Sequence, residues 1–208
     1  MSAGPVVYVI DDDHSFRKAV SRLLRSAGLA VETLASAREF LERSAVDQPS
    51  CLVLDIRMPG PSGMDLQAAL QEAQREIPIV FVTGHGDVST GVRAMKGGAV
   101  DFLEKPFRSQ DLLACVQRGL ARSEQSRVAR AERVAVERRF ETLTLRERDV
   151  LRLVVTGMLN KQIASELGIS VKTVKIHRGH VTRKMEADSV AELIQMMGKL
   201  GPPGPSPS

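Results

Sequence analysis

The sequence has few cysteines, with two among its 208 residues. Cys51 begins an apolar segment typical of a buried strand, and Cys115 falls on the apolar face of a predicted helix. Free cysteine behaves as a small apolar residue, so we expect both to pack in a core. The pair indicates a reducing compartment and argues against a zinc site built on cysteine.

Long apolar runs are also missing. No stretch approaches the ~20 consecutive apolar residues that cross a bilayer as a helix. The N-terminal sequence MSAGPVVYVI lacks the basic lead and the cleavage pattern of an export signal. We therefore expect a cytoplasmic protein with no membrane partner. With 43% hydrophobic residues, the chain is long enough for two modest domains.

Charge is unevenly distributed along the chain. Residues 1–117 hold 12 basic against 15 acidic side chains, whereas residues 144–208 hold 10 basic against 6 acidic. This asymmetry predicts different partners for the two halves. The final segment 201–208, GPPGPSPS, is too rich in proline and glycine for helix or sheet pairing, and we expect a disordered tail.

Short apolar segments alternate with helical patterns in the first half of the chain. The segments are VVYVI, CLVLD, IPIVFVT and AVDFLEK. The alternation predicts an α/β domain of five strand-helix units around a doubly wound parallel sheet. Ser36 and Glu39 predict a capping box at one helix start. The carboxyl ends of parallel strands meet at one crevice, where functional residues collect.

Polar residues stand where these segments end. Asp11 and Asp12 follow the first segment, Asp55 ends the second, Thr83 ends the third and Lys105 ends the fourth. Crowded carboxylates repel one another unless a cation holds them, and oxygen ligands of this kind select Mg²⁺ or a similar ion such as Mn²⁺. With the metal and Lys105 neutralising charge, Asp55 can attack a phosphoryl group and form an acyl phosphate.

These residues also allow other interpretations. A single aspartate at a strand end usually caps a helix or forms a turn, but five polar residues in register favour a functional site. The third acid, Asp13, leaves open which two of the run hold the metal, and we choose Asp11 and Asp12 because they directly follow the strand. Segment 84–91 is not a dinucleotide fingerprint, because Ser89 replaces its third glycine.

These motifs resemble the receiver domain of two-component response regulators over residues 5–120. The likeness rests on the acidic pair, on VLDIRMPGPSG around Asp55, on VTGHGD around Thr83 and on Lys105-Pro106. It implies a five-stranded flavodoxin-like fold in which Asp55 is the phosphoacceptor.

The resemblance also implies roles for the other residues of the crevice. By their own position, two residues after Asp55 and Thr83, Arg57 and His85 are expected to shape the access of water to the phosphoryl group. The further implied roles are Mg²⁺ (or Mn²⁺) binding by Asp11, Asp12 and Asp55, phosphoryl contact by Thr83 and Lys105, space for the phosphoryl group at Gly84, an aromatic switch at Phe102 and a cis bond at Pro106.

A charged stretch without glycine or proline follows the predicted receiver. It predicts a helical linker over residues 121–141. Its heptad pattern is weak, since Glu124 and Arg138 fall among the matching positions, so a solvated connector is favoured over a coiled coil.

Residues 142–200 predict a small all-α domain of helix-turn-helix format. Gly168 ends one predicted helix, and Ser170 can cap the next, VKTVKIHRGHVTRKM. Val174, Val181 and Met185 face inward in this pattern. The opposite face is basic. An isolated basic helix is about as often a solvated surface as a DNA-binding one, and the preceding helix and turn favour DNA.

This region resembles the LuxR-type helix-turn-helix of NarL/FixJ regulators, in the segments LTLRERDVLRL, GMLNKQIASELGIS and VKTVKIHRGHVTRKM. The resemblance implies base contacts at Lys175 and Ile176 and a close approach of Gly179 to the duplex. Lys172 belongs to the basic face that suits phosphates. The resemblance further implies backbone or framework roles for Asn160, Lys161, Thr173, Arg178 and Lys184.

The sequence therefore predicts a phosphorylation-dependent regulator of transcription. A sensor histidine kinase is expected to phosphorylate Asp55, and the product to form a homodimer and bind promoter DNA, with RNA polymerase as a further partner. No enzyme activity is expected beyond self-phosphorylation. An aspartyl-phosphate enzyme is disfavoured, because Arg57 and Pro59 replace the acidic residue and threonine of the haloacid-dehalogenase pattern. A receiver used only as an unphosphorylated docking module is disfavoured by the complete site.

Overall fold

The computed structural model describes residues 4–43, 47–84 and 88–200. It divides into two compact units, 1–128 and 129–208, termed here the sheet unit and the helical unit. His85 and the predicted tail 201–208 lie outside the described residues.

The sheet unit is built on a five-stranded parallel sheet. Its strand order is β2-β1-β3-β4-β5, and all four neighbouring pairs are parallel. This confirms the predicted doubly wound fold. The strands are β1 Val6–Ile10, β2 Ala30–Leu34, β3 Ser50–Asp55, β4 Ile79–Thr83 and β5 Asp101–Glu104. The helices are α1 His14–Ser26, α2 Ala37–Leu41, α3 Gly63–Glu72, α4 Val88–Lys96 and α5 Ser109–Glu141.

Alternate strand residues pack on opposite faces of this sheet. One layer, with Tyr8, Leu52 and Phe81, packs with residues of α2, α3 and α4. The other layer, with Val9 and Val53, packs with residues of α1 and α5. Because β1, β3 and β4 are buried on both faces, their sequences are almost continuously apolar. Fully burying one side chain such as Val, Leu or Phe adds about 1.5–3 kcal/mol to the free energy of unfolding.

Both cysteines lie in this core, as predicted. Cys51 and Cys115 are buried free thiols. Burial raises the pKa of Cys51 to about 12. Burial, with a contribution from Asp101, raises the pKa of Cys115 to about 11. Both thiols therefore stay protonated near neutral pH.

The capping box predicted at Ser36 is incomplete. Ser36 Oγ accepts a hydrogen bond from Glu39 N–H at 3.3 Å, as expected of an N-cap. The Glu39 carboxylate, however, accepts from the N–H of Ala35 rather than that of Ser36. The Glu39 side chain therefore bonds to the residue before the N-cap, not to the N-cap itself.

Helix α5 is longer than either helix predicted for its region. It runs unbroken for 33 residues, about 50 Å at ~1.5 Å per residue. Its first turns pack on the sheet through Leu112 and Val116. Ser123 Oγ accepts the backbone N–H of Ser50 at 3.0 Å, so the packed segment extends into the predicted linker.

Within the described residues, four helices and the end of α5 form the helical unit, which confirms the predicted all-α fold. They are α6 Leu145–Val155, α7 Asn160–Leu167, α8 Val171–Met185 and α9 Val190–Leu200. Thr144 and Glu147 form a reciprocal capping box at α6. Gly168 ends α7 with φ 63°, a left-handed conformation that favours glycine. Ser170 caps α8 by accepting the N–H of Thr173.

Candidate functional site

A lysine bridges two buried carboxylates at the carboxyl edge of the sheet. Lys105 Nζ lies 2.6 Å from Asp11 Oδ2 and 2.9 Å from Asp55 Oδ1. Asp11 follows β1, Asp55 ends β3 and Lys105 follows β5, so the parallel order brings residues from distant parts of the chain together. We call Asp11, Asp12, Asp55, Thr83 and Lys105 the carboxylate crevice.

Backbone groups hold the two bridged carboxylates in place. Asp55 Oδ2 accepts the N–H of Arg57 at 2.6 Å, while Asp11 Oδ1 accepts the N–H of Asp13 at 2.8 Å. The second oxygen of each carboxylate faces Lys105. Both acids are thus oriented with one oxygen toward the same ammonium.

The three successive acids after β1 have different environments. Asp11 is buried, whereas Asp12 is exposed and takes no part in the lysine bridge. Asp13 Oδ1 accepts the N–H groups of Ser15 and Phe16 and so caps α1. The cap engages Asp13 in α1, while the choice of Asp11 and Asp12 as metal ligands stays a prediction. The oxygens of Asp11, Asp12 and Asp55 are not all within 4.8 Å of one another.

Burial and charge shift the acid-base properties of the bridge in defined directions. Burial raises the pKa of Asp55, with a smaller contribution from Asp11, and the hydrogen bond from Lys105 only partly offsets it. Burial acts to lower the pKa of Lys105, but its bonds to Asp11 and Asp55 outweigh this and raise it. The lysine therefore stays charged beside a carboxylate that is less acidic than usual.

The remaining predicted residues lie on β4 and β5 or directly after these strands. The N–H of Lys105 donates to the carbonyl of Thr83 at 2.8 Å, and Thr83 is buried at the end of β4. Gly84, the next residue, is exposed. The Lys105–Pro106 peptide bond is cis. Phe102 is partly buried on β5, and a Cβ added to Gly91 of α4 would lie 3.7 Å from its ring.

Phe16 is a residue of this site that the sequence reasoning missed. Its ring centroid lies 3.7 Å from Lys105 Nζ, a cation–π contact, and Phe107 packs edge-on against the same ring. The apolar spacing of the sequence predicts for Phe16 only a place among the apolar positions of the first helix. Its position one turn after the acidic run is the signal that would have pointed to the crevice.

Four predicted DNA-contact residues share one exposed face of α8. These residues, called here the α8 face, are Lys172, Lys175, Ile176 and Gly179. Their spacing of i, i+3, i+4 and i+7 places them on one side of the helix, and all four are exposed rather than packed in the core. Ile176, with half of its surface exposed, is an apolar side chain within this polar surface.

Other predicted DNA residues also make contacts within the helical unit. Lys184 Nζ lies 2.6 Å from the buried carboxylate of Glu147 and donates to the carbonyl of Thr142, a framework role. Arg178 Nη1 donates to Asn160 Oδ1 at 2.7 Å and joins α8 to the start of α7. Thr173 is hydrogen-bonded to Ser170 at the start of α8, and Lys161 is exposed on α7.

Glu147 connects α6 with α8. Burial acts to raise its pKa, but the bond from Lys184 and those from Thr144 outweigh this and lower it to about 2. A buried carboxylate that stays ionised holds Lys184, and with it the last turn of α8, against the start of α6.

Two families match the chain over separate regions. Residues 7–117 match "Response regulator receiver domain", and residues 141–197 match "Bacterial regulatory proteins, luxR family". The chain belongs to the response regulators with a LuxR-type DNA-binding domain. The regulator thus joins a receiver to a transcription-regulating module, which confirms the family and the general function that the sequence predicted.

Named relatives match the regulator over almost its full length. It is 50% identical to Nodulation protein W of Bradyrhizobium diazoefficiens over 96% of its own chain and 88% of that protein. It is 44% identical to the transcriptional regulatory protein FixJ of Azorhizobium caulinodans, over 91% of its own chain and 90% of that protein.

Solved structures give the same assignment. The structure of the response regulator StyR matches with a TM-score of 0.84 and 48% identity, covering 95% of the regulator and 100% of that chain. Full-length FixJ from B. japonicum matches with a TM-score of 0.54 and 38% identity, covering 97% of the regulator and 98% of that chain. Among the described helices of the regulator, none is long and apolar enough to cross a membrane.

Proposed function

We propose that Asp55 accepts a phosphoryl group from a sensor histidine kinase and thereby controls binding of the helical unit to promoter DNA. The observation that carries the proposal is the ammonium of Lys105 bridging Asp55 and Asp11 at the carboxyl edge of the sheet. A buried carboxylate beside a fixed cation suits attack on a phosphoryl group, because the cation stabilises charge as it develops on the phosphoryl oxygens.

The crevice also offers ligands for a divalent cation. Lys105 bridges Asp11 and Asp55, Asp12 is exposed next to Asp11, and hard oxygen ligands of this kind suit Mg²⁺ or Mn²⁺. The oxygens of these three carboxylates are not all within 4.8 Å of one another, so the lysine-bridged arrangement does not by itself gather a complete ligand set. Asp11, Asp12 and Asp55 would hold the ion. When bound, it would supply Lewis-acid polarisation of the phosphoryl oxygens.

Phosphoryl transfer requires a simple exchange of bonds. A carboxylate oxygen of Asp55 forms a bond to phosphorus, the bond from phosphorus to the kinase histidine nitrogen breaks, and its electron pair stays on that nitrogen. Arg57 N–H and Lys105 Nζ orient the two carboxylate oxygens during attack. The phosphorylated side chain carries roughly two negative charges at neutral pH.

The phosphoryl group then changes the surface of the sheet unit. It draws Lys105 and Thr83 inward, and Phe102, which packs near Gly91 of α4, moves with β5. In this proposal the altered face pairs two copies of the chain. Homodimerisation places two α8 helices on half-sites about 34 Å apart.

The helical unit supplies the DNA contacts in this account. Lys175 and Ile176 reach base edges, Gly179 approaches the duplex closely, and Lys172 and Lys161 contact phosphates. Asn160, Thr173, Arg178 and Lys184 position the two helices through the contacts described above. RNA polymerase is the further partner of a promoter-bound regulator, and this role fits the expected cytoplasmic location.

Intact mass measured after incubation with acetyl phosphate and Mg²⁺ tests the acceptor. We expect one phosphoryl adduct on the full chain, lost in Asp55→Asn and retained in Asp111→Asn, which changes an exposed acid of α5. An adduct that persists in Asp55→Asn would refute the assignment of Asp55.

Paired substitutions on α8 test the DNA face. Lys175→Ala is expected to cost about 1–3 kcal/mol of binding to a selected site and to relax base preference at one position. Lys172→Ala is expected to weaken binding uniformly across sequences and to reduce the slope against salt by about one. Equal base preference in Lys175→Ala and the parent chain would exclude a base contact.

A further inference from the structure

We propose that Glu147, His177 and His180 form a binding site for a divalent transition-metal ion, such as Zn²⁺, Ni²⁺ or Co²⁺, in the helical unit. Each side chain offers one ligand atom, and these three atoms lie within 4.8 Å of one another. No other set of three or more acidic, histidine or cysteine side chains is brought together in this way within the described residues. The site is separate from the carboxylate crevice and independent of the role proposed for Asp55.

Two helices position the three ligands. His177 and His180 are three residues apart on α8, so their rings lie on the same side of the helix. Glu147 is at the start of α6, where the capping box with Thr144 fixes it. The α6 and α8 helices pack in one core through residues such as Val150 and Val181. A metal bound here would therefore join two elements that are already in place.

The two oxygens of Glu147 have different partners. Oε2 accepts hydrogen bonds from Lys184 Nζ at 2.6 Å and from the N–H of Thr144 at 2.9 Å. Oε1 faces His180 Nδ1 at 3.3 Å. One oxygen thus serves the framework, while the other faces His180.

His177 provides the second observation that points to a ligand. Its Nδ1 is buried and has no hydrogen-bond partner in the structure. Its ring is nearly perpendicular to that of His180, with the centroids 6.5 Å apart. A purely hydrogen-bonded cluster accounts for the contact of His180 with Glu147, but it leaves the buried nitrogen of His177 unsatisfied.

The donor set determines which ions suit the site. Two imidazoles and one carboxylate match the ligands of Zn²⁺ and of neighbouring transition metals, whereas Mg²⁺ prefers oxygen ligands alone. Three protein ligands leave a further coordination position for water. The ammonium of Lys184 lies next to Glu147 and repels a cation, so the affinity should be lower than that of a closed structural zinc site.

Metal binding to the full chain tests this proposal. Equilibrium dialysis against Zn²⁺ or Ni²⁺, with Mg²⁺ in excess to saturate the carboxylate crevice, should retain one transition-metal ion per chain. His177→Gln and His180→Gln should each lower the affinity at least about tenfold, since even the loss of an outer-shell partner costs about 10–100-fold. His14→Gln, which changes an exposed histidine of the sheet unit, is the matched control and should bind as the parent chain does.

Paramagnetic Co²⁺ provides a measurement that needs no variant. It should shift or broaden the imidazole NMR signals of His177 and His180 before that of His14. Equal affinity in the double variant His177→Gln/His180→Gln and the parent chain would overturn the proposal. Retention of no ion would overturn it as well, and so would equal Co²⁺ effects on the signals of His14, His177 and His180.

Discussion

Lys105 is the residue on which the chemistry of the crevice depends most directly. Its ammonium contacts two carboxylates and an aromatic face, and the surrounding charges keep it protonated. Asp55, by contrast, is held less acidic than an ordinary aspartate by burial. The reactivity of Asp55 therefore results from two opposing effects, of which only one comes from Lys105.

Lys105→Met should slow phosphorylation and change its pH dependence. The attacking group is the carboxylate, so the rate falls as pH drops through the pKa of Asp55. Removing Lys105 removes the influence that lowers this pKa, and the acid limb of the rate profile should move to higher pH. Loss of an electrostatic contact of this kind costs about 100-fold in rate.

The measurement is the initial rate of adduct formation by intact mass across pH, at constant Mg²⁺. Lys18→Met, which removes an exposed positive charge from α1, should leave the profile in place. An unmoved acid limb in Lys105→Met would show that the lysine does not act on Asp55.

The contact between Phe16 and Lys105 should appear as a coupling energy. A double-mutant cycle with Phe16→Leu and Lys105→Met is expected to give about 0.5–2 kcal/mol, the range of a partly desolvated cation–π contact. Urea unfolding followed by Tyr8 fluorescence measures this in the sheet unit alone, because Tyr8 is the single tyrosine and the chain has no tryptophan. Additivity of the two substitutions within about 0.3 kcal/mol would contradict the contact.

Packing at the scale of whole elements can be tested with two helical glycines. A Cβ at Gly119 of α5 would lie 2.5 Å from Cys51 Sγ in β3, whereas a Cβ at Gly179 of α8 meets no atom within 4 Å. Gly119→Ala should destabilise the sheet unit by about 1–3 kcal/mol through overpacking. Gly179→Ala should stabilise α8 by about 0.5–1 kcal/mol through helix propensity.

Native-state hydrogen exchange measures the local stability of each segment, and so it reports on α5 and α8 separately in the two glycine variants. Each substitution serves as the control for the other, since both replace a helical glycine with alanine. Stabilisation of Gly119→Ala by as much as Gly179→Ala would show that helix propensity, rather than the contact with Cys51, determines the result.

The elements most easily predicted from sequence are those buried on two faces or marked by caps. β1, β3 and β4 are continuous apolar runs, and Gly168 with Ser170 marks the turn before α8. Strand β2 is harder to predict, because it lies at the sheet edge and its sequence AVETL mixes exposed and buried positions. The unbroken α5 could not be predicted from apolar periodicity, because its pattern fades after the first turns.

Individual contacts within the sites were harder to predict. The sequence placed Asp11, Asp55, Thr83 and Lys105 together, because strand ends in a parallel sheet converge. It did not reveal the ring of Phe16 over Lys105, which depends on the rotation of α1 against the sheet.

At the scale of the whole molecule, the regulator combines two units with different chemistry. The sheet unit carries the crevice of buried carboxylates, and the helical unit carries the exposed α8 face. The units divide near Val128 and Ala129, within α5 and within the linker that the sequence had predicted. In the proposed function, phosphorylation of the sheet unit changes the binding of DNA by the helical unit.

The most direct test is the affinity of the full chain for a duplex selected from random DNA with the phosphorylated protein. Fluorescence anisotropy at one fixed salt concentration compares the parent chain with Asp55→Asn, each with and without acetyl phosphate and Mg²⁺. We expect phosphorylation to tighten binding by about 5–150-fold in the parent chain, the usual range for coupled sites, and to have no effect on Asp55→Asn. Equal affinities for the phosphorylated and unphosphorylated parent chain, with the adduct on Asp55 verified by mass, would contradict the account.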